Sequence, residues 1–280
     1  MKKIALVTDS TADLSVEILK EHDIHVIPLR VRFGNLEFLA HEIESDEFYR
    51  LLSEAEELPQ TSQPTPEEFN QLYCELLKEY DEVISIHISS GLSGTLNAAR
   101  VAKEHLQAKI HIVDSKTISL GLGLLVMDAA KHLKEGLDSL QIVDKLAEAR
   151  KNIETLFTLD TLEYLQKGGR IGKVSGILGS LLNVKPIIRV GDDGIYHTYS
   201  KARNQRKALK AMVTAIGEMT KERKRIRLSV AHGGALTAGE YLKECMENAF
   251  NIKTDIFTQV SPIIGVHTGP GTVGVAVQFE

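Results

Sequence analysis

Short apolar runs alternate along the chain with longer stretches in which apolar residues recur every three or four positions. In the first 155 residues, the apolar runs predict buried strands at Ile4–Thr8, His25–Val31, Glu82–Ile88 and Ile110–Val113. The amphipathic stretches predict helices at Ser45–Ala55, Pro66–Tyr80, Leu120–Leu133 and Leu140–Asn152. Strands that alternate with helices are typical of a mainly parallel sheet flanked by helices. The first half of the chain is therefore predicted to be an α/β domain of this kind.

The pattern in residues 156–280 predicts a second α/β domain. Pro186–Tyr196 is typical of a hairpin with a glycine-ended turn, and strands are predicted at Ile226–His232 and Val273–Phe279. No low-complexity linker separates the two halves. Domains 1–155 and 156–280 are therefore expected to pack together, with a ligand cleft between them.

Composition restricts the class of protein. Hydrophobic residues make up 43% of the chain and charged residues 25%, as in an ordinary globular protein. No run reaches 18 consecutive apolar residues, and the run Ile4–Val7 is too short for a signal peptide. The two cysteines, Cys74 and Cys245, have no cysteine or histidine at metal-ligand spacing. We therefore expect no membrane span, no disulfide framework, no metal site and a cytoplasmic location.

Charge is distributed unevenly along the chain. Residues 1–150 carry 15 Lys and Arg against 26 Asp and Glu, a net charge of −11, whereas residues 151–280 carry 18 against 12, a net charge of +6. Ten basic and two acidic residues occur between Lys201 and Arg227. This stretch is either a solvated helix face or a docking surface for an acidic partner protein. Nucleic acid is a weaker candidate, because the whole chain is acidic and contains no motif that reads nucleic acid.

The strongest candidate for ligand chemistry is the loop after the strand Glu82–Ile88. The segment Ser89–Thr95 places glycine and hydroxyl residues between a strand and the start of a helix. Free N–H groups at a helix start attract anions, and open parallel sheets bind ligands at the carboxyl ends of their strands. The loop therefore predicts an anion site, and the alternative is an ordinary capped turn.

Enzymatic motifs fail on spacing or context. A serine hydrolase would need the pattern G-x-S-x-G, but Gly94 directly follows Ser93, one place too early. The segment Gly269–Gly274 matches G-x-G-x-x-G, yet it runs into a strand-like alternation and not into a helix that could face a pyrophosphate. Gly172-Lys173 lacks the rest of a phosphate-binding loop. The chain therefore shows no convincing nucleotide site.

Two further segments carry residues suited to a polar ligand group. Thr61–Pro64 is a hydroxyl-rich loop before the helix predicted at Pro66, and His267 is predicted in a glycine-rich loop, Val266–Gly269. Such residues are more often a helix cap or a core histidine. A binding role requires that they meet Ser93 in the fold, and spacing along the chain does not establish that.

Five motifs, taken together and in this order, resemble the DegV family. They are Val7–Thr11, Thr61–Pro64, Ser89–Thr95, Leu165–Ile171 and His267–Gly271. The resemblance extends over essentially the whole chain. It implies a bacterial protein of two α/β domains that binds one long-chain fatty acid between them. It also implies a likeness to the binding subunit of fatty acid kinase, whose separate kinase subunit makes acyl phosphate from ATP for phospholipid synthesis.

Carried over to this sequence, the resemblance implies that Thr61, Ser93 and His267 bind the fatty acid carboxylate. The residues expected to support this site are Ser62, Gly94 and Thr95. Hydroxyl groups and N–H groups at a helix start can satisfy a carboxylate. The acyl chain is then expected to lie in an apolar tunnel.

A basic surface formed by Arg170, Lys173, Arg203 and Arg206 is predicted to face the kinase subunit or the phosphates that it brings. No catalytic residue, cofactor or metal is expected, and any contact with a membrane surface is expected to be transient.

Two alternatives from other classes remain open. One is an esterase or thioesterase that uses Ser93 and His267, and the other is a regulatory module whose basic face binds nucleic acid.

Overall fold

A computed structural model of the chain describes residues 2–174, 176, 184–220 and 225–279. Its strands are β1 (Ile4–Asp9), β2 (Ile24–Ile27), β3 (Arg30–Phe33), β4 (Leu36–Leu39), β5 (Gln60–Ser62), β6 (Glu82–His87), β7 (Lys109–Asp114), β8 (Ile153–Thr158), β9 (Lys185–Val190), β10 (Tyr196–Ala202), β11 (Ile226–Gly233), β12 (Ile256–Gln259) and β13 (Thr272–Phe279). Its helices are α1 (Val16–Glu21), α2 (Ser45–Glu54), α3 (Pro66–Leu76), α4 (Thr95–Glu104), α5 (Leu120–Lys134), α6 (Ser139–Arg150), α7 (Glu163–Lys167), α8 (Gln205–Met219), α9 (Leu236–Phe250) and α10 (Pro262–Thr268).

The first sheet contains four parallel strands in the order β2-β1-β6-β7. Helices of the first half pack against it, which confirms the predicted α/β fold with a parallel sheet flanked by helices. The chain passes from β1 to β2 on one side and later returns to β6 on the other. The carboxyl ends of β1 and β6 therefore form the switch point at which open α/β sheets bind ligands. This topology brings the loops after β1 and β6 next to each other.

A second sheet contains six strands in the order β10-β9-β8-β13-β11-β12, with only β11 and β12 parallel among the paired neighbours. The predicted hairpin is confirmed: β9 and β10 pair antiparallel, and Gly194 in the turn between them has φ of 78°. A positive φ of this size is readily adopted by glycine, which explains the glycine at the turn. A small third sheet, β4-β3-β5, lies beside these two.

The predicted strand His25–Val31 is wrong in one respect, because the structure divides it into β2 and β3. Pro28 stands between the two strands, and proline has no N–H group to donate to a sheet ladder. β2 stays in the parallel sheet, whereas β3 joins the third sheet and pairs with β5. In that pairing Val31 lies opposite Thr61, so the division of the strand determines where Thr61 lies.

Helix α3 begins at the predicted residue and ends earlier than predicted. Thr65 and Glu68 form a reciprocal capping box, and Pro66 occupies the first turn, where no N–H partner is needed. Residues after Leu76 form a turn and not the predicted continuation to Tyr80. Leu77 and Tyr80 still pack against the core from this turn.

The largest buried apolar cluster contains residues of both halves, among them Leu6, Ile84, Phe157 and Ile188. The predicted boundary between residues 155 and 156 lies within β8, and the division into two domains stays a prediction. No helix in the described part of the chain is long and apolar enough to cross a membrane.

Candidate functional site

Two adjoining cavities lie inside the molecule. The first, here called the polar chamber, is lined by Thr61, Ser93, Arg170 and His267 together with apolar side chains. The second is here called the apolar chamber. Its walls include the side of the second sheet that carries Phe157, Ala231, Gly274 and Ala276. The residues that line both chambers are Ile118, Tyr196 and Ile264. The fold thus brings the three predicted carboxylate-binding residues to one cavity.

Thr61 and His267 are hydrogen-bonded to each other, with 2.8 Å between Thr61 Oγ1 and His267 Nε2. β5 holds Thr61, and the short helix α10 holds His267. The predicted loop around His267 is therefore wrong. Pro262 favours the first turn of a helix, and Gly269, with φ of 73°, ends it one residue after Thr268. Burial, together with the nearby charge of Arg170, lowers the pKa of His267 to about 4, so the imidazole is neutral at neutral pH.

The motif Leu165–Ile171 places Arg170 and leaves room for His267. Gly168 ends α7 against the imidazole, where a Cβ atom would collide with His267 Nδ1. Gly169 has φ of 69°, a value that favours glycine, and turns the chain so that Arg170 N–H bonds to the Leu165 carbonyl at 2.9 Å. The guanidinium group donates to the carbonyl of Gly168 at 2.8 Å. The two glycines therefore bring a cation and an imidazole to the same wall of the polar chamber.

The loop Ser89–Thr95 presents Ser93 at the start of α4. Ser93 Oγ accepts a hydrogen bond from Thr95 N–H at 3.2 Å and lies 2.8 Å from Thr95 Oγ1. Gly94 approaches Gln63 so closely that a Cβ atom would collide with its side-chain amide. The loop is tied to the β9–β10 hairpin by Ser89 Oγ, which donates to the Gly194 carbonyl at 2.7 Å. Gly94 and Thr95 thus hold the loop that carries Ser93, and their support of a ligand site stays a prediction.

In the motif Val7–Thr11, Asp9 bonds to the backbone directly before this loop. The buried carboxylate of Asp9 accepts the N–H group of Ile88 at 3.0 Å and lies 3.0 Å from His87 Nδ1. It also accepts the hydroxyl of Thr11 at 2.5 Å. Burial alone would raise the pKa of Asp9, but the bonds from His87, Thr11 and Ile88 outweigh burial and lower it. Asp9 therefore joins the carboxyl ends of β1 and β6 just before the ligand loop begins.

The other predicted site residues lie outside the polar chamber. Ser62 is exposed on β5, and Lys173 forms an ion pair with Asp193 at 2.8 Å. Arg203 is exposed in the turn before α8, and Arg206 stacks on the Tyr241 ring, 5.3 Å from its centre. Of the four residues of the predicted basic surface, only Arg170 lines the chamber. Residues 221–224, which belong to the basic stretch, lie outside the described residues.

The geometry does not favour a serine hydrolase. Within the described residues, Ser93 Oγ is hydrogen-bonded to Thr95, and His267 Nε2 is bonded to Thr61. His267 Nδ1 has no hydrogen-bond partner there, so the described side chains do not orient the imidazole as a triad requires. In the same part of the chain, no group of three or more His, Cys, Asp or Glu side chains is close enough to hold a metal ion.

Sequence reasoning expected an apolar tunnel but did not identify the residues that line the apolar chamber, Tyr196 among them. On β13 the lining includes Thr272, Gly274 and Ala276, which share one face of the strand, together with Val275. The available signal for the chamber was the small size of Gly274 and Ala276 in a strand of otherwise bulky residues. This signal did not show which elements would pack against that face of the strand.

The fold and the two joined chambers define an α/β protein built around an internal, largely apolar cavity with one polar end. A family model described as "Uncharacterised protein, DegV family" matches residues 3–280. The chain therefore belongs to the DegV family.

Individual relatives resemble the chain over its whole length. A DegV domain-containing protein of Clostridium acetobutylicum is 39% identical over 280 residues, which cover 99% of each chain. A structure described as fatty acid binding of a DegV family protein from Thermus thermophilus has a TM-score of 0.93 and 33% identity, covering 99% of this chain and 100% of the other. A stearic acid-binding protein from Eubacterium ventriosum has a TM-score of 0.88 and 30% identity, covering 100% of this chain and 98% of the other. Both solved structures are thus described as fatty-acid-binding.

Proposed function

We propose that this protein binds one long-chain fatty acid, with the acyl chain in the apolar chamber and the carboxylate in the polar chamber. The observation that carries the proposal is the separation of the two kinds of wall. Hydroxyl, imidazole and guanidinium groups line one end of the cavity, and the other end is lined mainly by apolar side chains. The relatives described as fatty-acid-binding proteins support the same assignment.

The serine and threonine hydroxyl groups in the apolar chamber bond to the protein itself. Thr155 pairs with Thr117 at 3.1 Å, and Ser119 donates to Asp13. Thr268 and Thr272 donate to backbone carbonyls at 3.0 Å and 2.8 Å. The chamber is therefore suited to an alkyl chain, whose burial stabilises the complex by about 0.8 kcal/mol per methylene.

The polar chamber is suited to a carboxylate. The hydroxyl groups of Thr61 and Ser93 can donate to its oxygens, and the α4 N-terminus adds N–H groups beside Ser93. Neutral His267 adds an N–H donor or acceptor, depending on its tautomer. Arg170 also lines this chamber and supplies a positive charge. The sequence-based prediction of the carboxylate site did not include this charge.

The binding proposal is tested on protein purified from cells and analysed by native mass spectrometry, followed by organic extraction. One fatty acid per chain is the expected result. Ser93→Ala and Thr61→Val are each expected to weaken binding of palmitate by the delipidated protein by about tenfold or more, because a hydrogen bond to a charged group contributes about 1.5–3 kcal/mol.

Matched controls for these variants are Ser53→Ala on α2 and Thr214→Val on α8, where both hydroxyls are exposed and bond to their own helix. Unchanged melting temperatures would show that all four variants fold. A wild-type protein that stays empty after incubation with saturated and unsaturated acids would contradict the proposal. Palmitate binding that is equal in all variants would contradict the assignment of Thr61 and Ser93.

We further propose that the bound acid is presented to a separate kinase subunit in the cytoplasm, which transfers the γ-phosphoryl group of ATP to a carboxylate oxygen. The products are acyl phosphate and ADP. Exposed Arg203 and Arg206, outside the polar chamber, are then available to an acidic partner surface. The surface around Arg170 lies closest to the carboxylate, and contact with a membrane during lipid exchange would be transient.

Arg203→Ala tests the partner surface. We expect acyl-phosphate formation with the kinase subunit and ATP to fall by about tenfold at limiting partner concentration, because a rim charge mainly changes the rate of association. Palmitate binding is expected to stay unchanged, since Arg203 lines neither chamber. Lys145→Ala removes an equal charge from an exposed position on α6 and serves as the control. Equal turnover of both variants, or loss of palmitate binding in Arg203→Ala, would refute this role.

A further inference from the structure

Tyr196 lies at the junction of the two chambers. Ile118, Tyr196 and Ile264 line both cavities, and of these three only Tyr196 has a polar atom in its side chain. Tyr196 is 2% exposed, and its ring packs edge-on against Phe157 with 5.1 Å between the ring centres. A ligand that extends from one chamber into the other must therefore pass beside this ring.

The hydroxyl group of Tyr196 has no hydrogen-bond partner among the residues that the structure describes. Buried tyrosine hydroxyls normally have one. Tyr73, for example, is equally buried and donates to Ser85 at 2.9 Å. Tyr49 also has an unpaired hydroxyl, but it lines neither chamber. Tyr196 thus combines an unpaired polar group with direct access to the ligand cavity.

Tyr196 shares the lining of the polar chamber with Arg170 and His267. Burial raises the pKa of Tyr196, and the positive charge of Arg170 offsets this only in part, so the phenol keeps its proton at neutral pH. The same Arg170 charge acts on His267. Phenol, guanidinium and imidazole therefore lie near one another, and the phenol is a permanent hydrogen-bond donor.

We propose that Tyr196 is a specificity-determining residue whose hydroxyl donates a hydrogen bond to the ligand carboxylate at the neck between the chambers. The inference rests on the proposed fatty acid function and extends it. A donor at this point distinguishes an acid from an alcohol of the same chain length, because a hydrogen bond to an ionised acceptor is roughly twice as strong as one to a neutral acceptor. Because this donor fixes where the carboxylate lies, it also determines how far the acyl chain reaches into the apolar chamber.

The test compares delipidated wild-type protein with Tyr196→Phe, which keeps the ring against Phe157 and removes only the hydroxyl. Affinity is measured for palmitate and for 1-hexadecanol. We expect Tyr196→Phe to lose about tenfold in affinity for palmitate and about threefold or less for the alcohol. Tyr49→Phe, which removes an unpaired buried tyrosine hydroxyl that lines neither chamber, is expected to bind both ligands like the wild type.

Each other outcome is decisive. Unchanged palmitate affinity in Tyr196→Phe would overturn the role of the hydroxyl and leave the fatty acid proposal intact. An equal loss for acid and alcohol would assign Tyr196 to packing of the chain and overturn the hydrogen bond to the carboxylate. A wild-type protein that binds neither ligand would overturn the fatty acid proposal and, with it, this inference.

Discussion

Gly274→Leu is expected to reduce the affinity for palmitate by about a hundredfold while leaving laurate much less affected. Gly274 lies on β13 opposite Phe157 on one neighbouring strand and Ala231 on the other. Residues opposite each other on paired strands face the same side of the sheet, and all three line the apolar chamber. A leucine side chain at this position therefore points into the space assigned to the acyl chain.

The size of the effect follows from the volume that the leucine occupies. Its four side-chain carbons displace about four methylenes of the ligand, which at about 0.8 kcal/mol each amounts to about 3 kcal/mol. A Cβ atom at Gly274 meets only ordinary contacts, the nearest being the Phe157 Cβ atom at 3.4 Å. Glycine in a strand interior is weakening, so we expect the variant to fold.

Calorimetric titration of delipidated protein with palmitate and laurate measures this change. Gly217→Leu is the matched control, because a Cβ atom there meets nothing closer than 4.0 Å and the residue lies on α8, away from both chambers. Palmitate affinity that is equal in the two leucine variants would show that the acyl chain does not occupy the apolar chamber. A loss of equal size for laurate and palmitate would show that the side chain blocks the neck and does not shorten the chamber.

Asp13→Asn is expected to stabilise the protein above pH 6 by up to about 3 kcal/mol. Asp13 is buried after the turn that follows β1, where its carboxyl group accepts the N–H of Ser261 at 2.9 Å and the hydroxyl of Ser119. Burial raises the pKa of this carboxyl to about 6, because the hydrogen bonds from Ser119 and Ser261 offset desolvation only in part. The charge of Asp9 contributes to this rise. An asparagine keeps an acceptor for Ser261 and carries no charge.

The direction of the pH dependence follows from this raised pKa. Below the unfolded pKa of 3.8, the carboxyl is neutral in both states and the substitution changes little. Between 3.8 and about 6 the unfolded chain loses this proton while the folded chain keeps it, so wild-type stability falls as pH rises. Above pH 6 the raised pKa has its full effect, and the free energy of unfolding of the wild type is lower by about 3 kcal/mol, which corresponds to about two pKa units. The advantage of Asp13→Asn should therefore grow from pH 4 to pH 7.

Denaturant unfolding at several pH values measures this difference. Asp114→Asn is a control with the opposite expected trend. Burial opposes ionisation of Asp114, but hydrogen bonds from Ser90 and Lys116 outweigh burial and lower its pKa. Wild-type stability from Asp114 is therefore present above the unfolded pKa and lost as pH falls, so the asparagine variant should be the less stable one at neutral pH. A pH-independent difference for Asp13→Asn would refute the assigned ionisation.

The alternation of apolar runs and amphipathic stretches was sufficient to predict the parallel sheet and most of its helices, because both patterns reflect which side of an element is buried. The β9–β10 hairpin was predictable from its glycine turn. The division of one predicted strand at Pro28 and the helix that carries His267 were not. Both depend on partners distant in the chain: β5 pairs with β3, and α10 packs against α2. Local propensity contains no information about such partners.

The candidate site shows the same limit. Motifs and family resemblance were enough to select Thr61, Ser93 and His267, because their chemistry suits an anion and each lies in a loop or at an element end. They also implied family membership, which the family match confirms. The 2.8 Å contact between Thr61 and His267 joins residues that are 206 positions apart, and Arg170 lies at the chamber and not only on an outer surface. Sequence spacing does not encode such distances. The apolar chamber is lined by residues of β8, β11, β13, α5 and α10 together with Tyr196 of β10, so its geometry exists only in the folded chain.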